Sequence, residues 1–237
     1  MLRSSTSSPA VAPAVHGREV AIPPLGLPGT LSLPAPANSL VIFAHGSGSS
    51  RFSPRNRAVA KALNARGIAT LLFDLLTAEE ESNRANVFDI PLLADRLAAA
   101  VRWCRQEPPV ASLPLGLFGA STGAAAALAA AAALGGEIGA VVSRGGRPDL
   151  AGTALSRVRA PTLLIVGGAD YGVIELNESA LASIEAPKAL EIVPGATHLF
   201  EERGALEKVI DLAADWFQRH LAGGESARSA IRRRRPM

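Results

Sequence analysis

The feature that most constrains the fold of this chain is the alternation of short apolar runs with segments of helical periodicity. Several of the apolar runs are continuous, which is typical of strands covered on both faces. Eight runs are predicted as β-strands, at residues 19–22, 29–33, 40–44, 69–73, 115–118, 140–143, 162–166 and 189–193. Six segments are predicted as helices, at residues 55–65, 90–105, 122–134, 150–157, 174–184 and 205–220. Two initial strands followed by repeated strand–helix units predict an α/β fold, in which helices cover both faces of a mostly parallel sheet.

The length and composition are those of one globular domain. The chain has 237 residues, of which 48% are hydrophobic and 19% are charged, so it can bury a sizeable core. Cys104 is the only cysteine, which excludes a disulfide-stabilised scaffold. Both ends lack periodicity, so we expect flexible segments at residues 1–17 and 223–237 around a single domain at residues 18–222. The loops within that domain are mostly short, and none is long enough to form a large lid domain.

The basic character of the chain comes from its two ends. The formal net charge is +3, but five arginines lie in residues 223–237, and Arg3 and Arg18 lie near the amino terminus. Residues 19–222 alone carry a net charge of about −3. We therefore interpret residues 223–237 as a solvated basic tail, and we predict no specific nucleic-acid partner.

Targeting signals are weak in this sequence. Residues 1–15 lack the continuous apolar stretch of a secretory signal. The longest apolar run, residues 124–134, has eleven residues, whereas a membrane-spanning helix needs roughly 20. These observations predict a soluble, cytoplasmic protein without a membrane span.

The sharpest functional signal is the pattern G-x-S-x-G at residues 119–123. It follows the apolar run that ends at Phe118 and leads directly into an alanine-rich helical segment. A serine in this strand–turn–helix setting is typical of a nucleophile elbow, where small residues two positions away make room for the sharp turn. The helix that follows also presents free N–H groups to a developing oxyanion. The alternative, a chance pattern in a Gly/Ala-rich stretch, does not explain this setting, and we predict Ser121 as the nucleophile.

A serine nucleophile needs a general base, and the chain contains four histidines. His16 lies in the predicted amino-terminal segment, and His220 lies at the end of the last predicted helix. His45 precedes the serine, whereas proteins with this elbow have the order serine, acid, histidine. His198, which follows the predicted strand at residues 189–193, is therefore the predicted base. The structural alternative is a solvated loop histidine.

The acid that orients this base is expected at the end of a strand between the nucleophile and the base. Asp170 follows the predicted strand at residues 162–166 and is the predicted acid. Asp149, after the preceding strand, is the alternative. It has another candidate role as the cap of the short helix predicted at residues 150–157.

A second glycine-containing segment, His45-Gly46-Ser47-Gly48, opens the loop after the predicted strand at residues 40–44. Proteins with the serine elbow take their second oxyanion donor from such a loop, where glycine lets the backbone turn an N–H group inward. We predict the N–H groups of Ser47 and Thr122 as the two donors. A phosphate-binding loop is the alternative, but the pattern G-x-x-x-x-G-K-[ST] is absent.

Several arginines are predicted at strand ends close to these motifs. Arg51 and Arg55 follow the second motif, and Arg144 and Arg147 follow the strand at residues 140–143. A guanidinium group at such a place can bind a carboxylate or phosphate of a substrate through two parallel hydrogen bonds. Arg144 and Arg147 are the candidate substrate-binding residues. The structural alternative is pairing with nearby acidic residues: Asp74, Glu79, Glu80, Glu81 and Asp149.

With these motifs in this order, the sequence resembles α/β-hydrolases of the dienelactone hydrolase-like group over about residues 19–222. The resemblance rests on residues 45–48, 119–123, 167–170 and 195–198. It implies an α/β-hydrolase fold, with an eight-stranded, mainly parallel sheet whose second strand is antiparallel, and attack on an acyl or lactone carbonyl without a metal or organic cofactor. Dienelactone hydrolases proper carry a cysteine nucleophile, whereas Ser121 stands here, which favours a serine esterase-like reaction. Some relatives are fused to a phosphoribosyltransferase domain, for which this sequence has no room.

The predicted residues together describe a serine hydrolase that acts on a small-molecule ester, thioester or lactone by two-step acyl transfer. His198, oriented by Asp170, accepts the proton of Ser121 as it attacks the carbonyl, and water then hydrolyses the acyl-enzyme. Acyl transfer to an acceptor other than water is one alternative. A non-catalytic binding protein with the same fold is another.

Overall fold

Residues 15–221 are described by a computed structural model, and they form eight strands joined mainly by helices. The strands are β1 (Val15–Ile22), β2 (Leu27–Pro34), β3 (Ser39–Ala44), β4 (Ile68–Phe73), β5 (Leu115–Ala120), β6 (Ile138–Arg144), β7 (Thr162–Gly167) and β8 (Lys188–Val193). The α-helices are α1 (Pro54–Ala65), α2 (Ala78–Ser82), α3 (Arg84–Val87), α4 (Ile90–Cys104), α5 (Thr122–Leu134), α6 (Tyr171–Ser183) and α7 (Ala205–Leu221). Short 3₁₀ helices lie at Gly135–Glu137 and Pro148–Arg157.

All eight strands form one sheet in the order β1-β2-β4-β3-β5-β6-β7-β8. β2 pairs antiparallel with β1 and β4, and the other neighbouring strands pair in parallel. This topology confirms the predicted eight-stranded, mostly parallel sheet with an antiparallel second strand. Because parallel strands end at the same edge of a sheet, the loops that follow β3, β5, β6, β7 and β8 meet there.

The sheet carries a hydrophobic core on each face, as predicted. α4, α5 and α6 pack on one face against side chains such as Leu40 and Ile42, whereas α1 and α7 pack on the other against Val41 and Phe43. This alternation follows from the period of two along a strand, which turns successive side chains to opposite faces. α5 is mostly alanine and is buried over most of its length, so its small side chains let the helix lie close to the sheet.

Two short helices, α2 and α3, are absent from the sequence prediction. The Thr77 hydroxyl accepts a hydrogen bond from the Glu80 N–H, and the Glu80 carboxylate accepts one from the Thr77 N–H, which caps α2. The Asn83 side chain caps α3 through a single bond, in which its Oδ1 accepts from the Ala85 N–H. Such local bonds build a helical turn without any apolar periodicity, which is why the periodicity of the sequence gives no signal here.

The helix predicted at residues 150–157 is the 3₁₀ helix Pro148–Arg157, and it is kinked at Gly152, where φ is 52°. A glycine accepts this positive φ readily, and the conformation interrupts regular helix. α6 begins at Tyr171, three residues before the predicted start at residue 174, directly after the loop that carries Asp170. The first predicted helix is therefore correct in position but is a 3₁₀ helix. The second is correct in type but begins three residues earlier than predicted.

β1 begins at Val15, earlier than the predicted strand, because residues 15–17 pair with the end of β2. Those residues are part of the sheet, although the sequence prediction counts them in an amino-terminal segment at 1–17. Residues 1–14 and the predicted basic tail at 223–237 lie outside the described residues. None of the helices in the described part of the chain is long and apolar enough to cross a membrane.

Candidate active site

Ser121 makes the turn between β5 and α5. The strand ends one residue before it and the helix begins one residue after it, and its backbone has φ 52° and ψ −124°. A positive φ is uncommon for serine and marks a strained position that the surroundings hold in place. A Cβ at Gly119 would lie 2.4 Å from the backbone of α5, and one at Gly123 would lie 2.3 Å from the backbone of β3. The two glycines of the pattern therefore leave the space that the turn needs.

Backbone hydrogen bonds to the end of β6 fix this elbow. The Ser121 N–H donates to the carbonyl oxygen of Arg144 at 3.3 Å. The Arg147 N–H donates to the Ser121 carbonyl oxygen at 3.1 Å. The end of β6 and the loop that follows it thus hold both peptide groups of the nucleophile.

His198 and Asp170 lie on the loops after β8 and β7, and their side chains are hydrogen-bonded. The Nδ1 of His198 lies 2.7 Å from the Oδ2 of Asp170, so the imidazole N–H donates to the carboxylate. The Ala169 N–H donates to the Ala196 carbonyl oxygen at 2.9 Å, which ties the two loops together through the backbone. With Nδ1 as the donor, the Nε2 of His198 is left as a hydrogen-bond acceptor.

Asp149, the alternative acid, is bound to Arg147. The Nε and Nη2 of Arg147 both donate to its carboxylate at 2.8 Å, and this hydrogen bonding raises the pKa of Arg147. The expected capping role of Asp149 is wrong, because Arg147 occupies the N-cap position of the 3₁₀ helix and no side chain caps that end. Of the two candidate acids, the structure brings Asp170 to His198.

The loop after β3 lies against the elbow. The Nε2 of His45 accepts from the Leu75 N–H at 3.2 Å, and its Nδ1 lies 3.0 Å from the Gly46 carbonyl oxygen, so this histidine anchors the loop. The Ser47 N–H donates to the Thr122 hydroxyl at 2.9 Å. The Thr122 N–H is at the first position of α5 and has no intrahelical acceptor. The two predicted oxyanion donors therefore lie beside each other, joined by a threonine hydroxyl contact that the sequence did not predict.

A pocket of about 280 Å³ opens at this place, and Ser121, His198 and Arg144 are among the residues that line it. The Arg144 side chain is buried, with 6% of the residue exposed, and its Nη2 donates to the Oδ1 of Asn56 at 3.1 Å. Burial, together with the charge of Arg55, lowers the pKa of Arg144 to about 10. The guanidinium therefore remains charged at neutral pH.

The other arginines considered from the sequence pair with acidic side chains. Arg147 is paired with Asp149. The Nη1 of Arg51 lies 3.2 Å from the Oε2 of Glu19, and Arg51 also contacts Asp74. Arg55 lines the pocket, and its Nη1 lies 3.1 Å from the Oε1 of Glu201. Of the two candidate substrate-binding residues, Arg144 lies in the pocket, and Arg147 is in an ion pair.

A second groove is lined by the loop after β3 and by α2 and α3. Its volume is about 450 Å³, and its walls include Ser47, the apolar Val87 and Phe88, and the charged Glu81 and Arg84. The apolar part of this surface can accommodate the hydrocarbon part of a substrate. The sequence analysis missed this groove because it missed the two short helices.

Cys104 lies outside this site. It is buried in α4, and burial raises the pKa of its thiol to about 12, so the thiolate needed for a cysteine nucleophile does not form near neutral pH. Within residues 15–221, no three His, Cys, Asp or Glu side chains lie together as a set of metal ligands.

Comparison with known proteins gives matches over most of the chain. Residues 37–211 match a family model described as an alpha/beta hydrolase domain. Two proteins from strains of Mycobacterium tuberculosis, named as candidate phosphoribosyl transferases, are 60% identical over 205 residues. This match covers 86% of the chain but 46% of each relative, so the chain spans about half the length of these curated relatives.

Solved structures show the same fold. A dienelactone hydrolase from Anabaena variabilis ATCC 29413 is 52% identical, with a TM-score of 0.84, and the match covers 89% of this chain and 100% of that one. Est1E from Butyrivibrio proteoclasticus is 17% identical, with a TM-score of 0.72 and coverage of 87% and 99%, and is similar in fold alone. From the family match and the similarity to the Anabaena protein over its whole length, the chain belongs to the α/β-hydrolase family and, within it, to the dienelactone hydrolase-like group.

Proposed function

We propose that this protein is a serine hydrolase that cleaves a carboxylic ester, thioester or lactone through an acyl-enzyme on Ser121. The observation that carries the proposal is the 2.7 Å contact between His198 Nδ1 and Asp170 Oδ2, beside the pocket that Ser121 lines. A base held in one tautomer by a carboxylate, in a pocket that is also lined by a serine on a strained turn, has the components that acyl transfer needs. The similarity to a dienelactone hydrolase supports the same reaction class.

The first half of the reaction forms the acyl-enzyme. The Nε2 of His198 takes the hydroxyl proton of Ser121 as the Oγ attacks the carbonyl carbon, and the carbonyl π electrons move to the oxygen. The carboxylate of Asp170 stays ionised and stabilises the imidazolium that forms. The tetrahedral intermediate then collapses, the bond to the leaving oxygen or sulfur breaks, and that atom receives the proton from His198.

The second half of the reaction releases the acid. The same Nε2 takes a proton from water as the water oxygen attacks the acyl carbon. The second tetrahedral intermediate then collapses, the bond between the acyl carbon and the Oγ of Ser121 breaks, and this Oγ receives the proton from His198. In a lactone the leaving oxygen remains attached to the acyl chain, so a single hydroxy acid is released. Release of the acid product leaves the serine free for the next reaction.

The N–H groups of Ser47 and Thr122 are the proposed oxyanion donors. The Ser47 N–H donates to the Thr122 hydroxyl at 2.9 Å. An oxyanion accepts from the same N–H, either together with this hydroxyl or in its place, while the loop stays next to α5. The positive end of the α5 dipole adds to the attraction. Loss of one such donor typically costs about 3 kcal/mol of transition-state stabilisation, so both loops should determine the rate.

Phosphoribosyl transfer, the activity in the names of the M. tuberculosis relatives, is not the reaction we propose for this region. The chain covers 46% of those proteins, and it matches a hydrolase family model. A nucleophilic serine with a general base and an orienting acid is suited to attack on a carbonyl carbon. Displacement of diphosphate from a ribose carbon needs no such set of residues.

The test is hydrolysis of p-nitrophenyl esters of increasing chain length, with several lactones and thioesters, by the wild type and by Ser121→Ala. We expect Ser121→Ala to abolish turnover while the melting temperature stays nearly unchanged, because the hydroxyl takes part in the covalent step and not in the core. Ser156→Ala is the matched control, since this serine is exposed and bonds only locally to the Thr153 carbonyl. Undiminished turnover by Ser121→Ala would contradict the proposal.

The same substrates separate the two alternative functions. Adding alcohol or amine acceptors and identifying the products distinguishes hydrolysis from acyl transfer, since both reactions pass through the same acyl-enzyme. A protein that binds esters without releasing any product would be a binding protein and not an enzyme.

A further inference from the structure

Asn177 is a fully buried polar side chain in the middle of α6. It lies about two helical turns after Asp170, the N-cap residue of that helix, and Asn177 and Ala180 are the buried residues of α6. An asparagine inside a helix is unfavourable by propensity, and burial of its amide costs further free energy unless hydrogen bonds are made. An alanine or a leucine would fill such a position at a lower cost. The hydrogen bonds of Asn177 therefore indicate what this residue does.

These hydrogen bonds join α6 to the loop after β6, residues 145–147, which we call the β6 loop. The Nδ2 of Asn177 donates to the Gly146 carbonyl oxygen at 3.0 Å and to the Val173 carbonyl oxygen, one turn earlier in α6, at 2.8 Å. Because both partners are carbonyl oxygens, the NH₂ group and not the Oδ1 must face them. The Oδ1 is buried and has no hydrogen-bond partner within residues 15–221. Asn177 is thus a donor of two hydrogen bonds, and the bond to Gly146 connects two separate elements.

The β6 loop contacts both the proposed nucleophile and the proposed base. The peptide groups of Ser121 bond to Arg144, directly before the loop, and to Arg147 within it. A Cβ at Gly145 would lie 3.0 Å from the carbonyl oxygen of His198, so the backbone of the loop lies directly against the residue that carries the base. A displacement of the β6 loop would therefore move both catalytic groups.

The other partner of this bond, α6, carries the proposed acid at its amino end. The N–H groups of Val173 and Ile174 each donate to the Asp170 carbonyl oxygen at 3.0 Å, which makes Asp170 continuous with the first turn of the helix. A shift of α6 would therefore also shift the carboxylate of Asp170. The bond from Asn177 to Gly146 thus links the position of the acid to the positions of the nucleophile and the base.

We infer that Asn177 is a positioning residue, whose bond to Gly146 holds α6 and the β6 loop at the separation that the catalytic groups require. The inference rests on the proposed function, and it assigns Asn177 an effect through the backbone and not through contact with substrate. A buried asparagine can fix one arrangement of packed elements at a cost in stability. A misplacement of catalytic groups by about 1 Å can lower the rate about 100-fold, so one restraining bond has a measurable effect on turnover.

Two variants separate the two bonds of Asn177. Asn177→Asp keeps the volume but leaves at most one donor for the two carbonyl oxygens. Asn177→Ser keeps the bond within the helix, because a serine hydroxyl reaches the carbonyl four residues earlier, but this side chain is too short to reach Gly146. We expect both variants to lower kcat on p-nitrophenyl acetate by about 10- to 100-fold, well below their melting temperatures, with KM changed by less than about threefold. If Asn177→Asp does not fold, Asn177→Ser gives the same test.

Asn64→Asp and Ala180→Gly are the matched controls. Asn64 of α1 is also buried, and its Nδ2 donates to the Ile68 carbonyl oxygen at 2.9 Å and to the Thr70 hydroxyl at 3.1 Å, near the amino end of β4 and away from the site. Ala180→Gly weakens α6 but leaves the bonds of Asn177 in place. We expect both controls to melt at a lower temperature with kcat within about threefold of the wild type. An equal fall of kcat in Asn177→Ser and Ala180→Gly would assign the effect to helix stability and overturn the inference.

A measurement without turnover separates failure of this inference from failure of the proposed function. NMR records hydrogen exchange of the Ser121 and Arg147 amides and the resonance of the His198 Nδ1–H. We expect both amides to exchange about tenfold faster or more in Asn177→Ser, and the Nδ1–H resonance to shift, with neither change in Asn64→Asp. Unchanged exchange and an unchanged resonance would overturn the inference even if no ester is hydrolysed. Both changes without Ser121-dependent hydrolysis would refute only the catalytic proposal.

Discussion

Replacement of Asp170 by asparagine changes one hydrogen bond at almost constant volume. The Oδ2 of Asp170 accepts the Nδ1–H of His198 at 2.7 Å, which leaves Nε2 free to take the serine proton. An asparagine that presents its NH₂ group to Nδ1 favours the opposite tautomer, in which Nε2 already carries a hydrogen. The negative charge that stabilises the imidazolium is also lost. We expect kcat to fall by about 10⁴-fold, which corresponds to about 5 kcal/mol of transition-state stabilisation.

Asp149→Asn is the matched control for this substitution. The carboxylate of Asp149 binds Arg147, whose side chain is 39% exposed, and it is not bonded to His198. Exposed ion pairs contribute about 0–1 kcal/mol to stability, so we expect a change in kcat of no more than about threefold and a small change in melting temperature.

The assay is steady-state release of p-nitrophenol between pH 6 and 9, with the melting temperature of each variant measured in parallel. Asp170 occupies the N-cap position of α6 but makes no side-chain capping bond, so Asp170→Asn should fold normally. A loss of activity in Asp149→Asn that exceeds the loss in Asp170→Asn would assign the triad acid to the loop after β6. Equal, small losses would show that neither carboxylate orients the base.

Three further predictions test the site and the core. His45→Ala removes the acceptor of the Leu75 N–H, and we expect kcat to fall by about tenfold, less than the loss of a whole oxyanion donor, as measured on p-nitrophenyl acetate. Gly119→Ala should lower the melting temperature because its Cβ would lie 2.4 Å from the backbone of α5, whereas Gly136→Ala, with open space around it, should change stability by about 0.5 kcal/mol or less. Burial raises the pKa of Cys104 from 9.0 to about 12, so thiolate formation favours the unfolded chain as the pH rises through this range. The free energy of unfolding should therefore decrease above about pH 9, and Cys104→Ala should reduce this decrease in denaturant titrations.

The fold could be predicted because its signal is local. Continuous apolar runs such as residues 40–44 and 162–166 define strands that are covered on both faces, and they correspond to β3 and β7 in the structure. Repeated strand–helix units restrict the chain to a mostly parallel sheet, although the order of the strands was not predicted. Strand and helix ends were less predictable, as β1 shows, because its first residues are ordered by pairing with β2 and not by their own composition.

Part of the candidate site was also predictable from strand ends. Ser121, Asp170 and His198 each follow a predicted strand, and loops after parallel strands meet at one edge of the sheet. The structure places Asp170 and His198 in contact, and their catalytic roles stay predictions.

Contacts between distant segments were not predictable. The bond from the Ser47 N–H to the Thr122 hydroxyl and the bond from Arg144 to Asn56 depend on how closely two elements approach in the folded chain. Composition and periodicity carry no information about such distances. The pairing of Arg147 with Asp149 was one of two open alternatives for the same reason.

The central claim is that Ser121 is the residue that becomes acylated, and mass spectrometry of the labelled protein tests it most directly. The wild type and Ser121→Ala are treated with a fluorophosphonate serine probe, and the adduct is located by peptide mapping. We predict one adduct, on the Ser121 hydroxyl, that is absent in Ser121→Ala and forms more slowly in Asp170→Asn, because the base is then held in the wrong tautomer. An adduct on another residue, or hydrolysis of esters by a protein whose Ser121 is never modified, would contradict the claim.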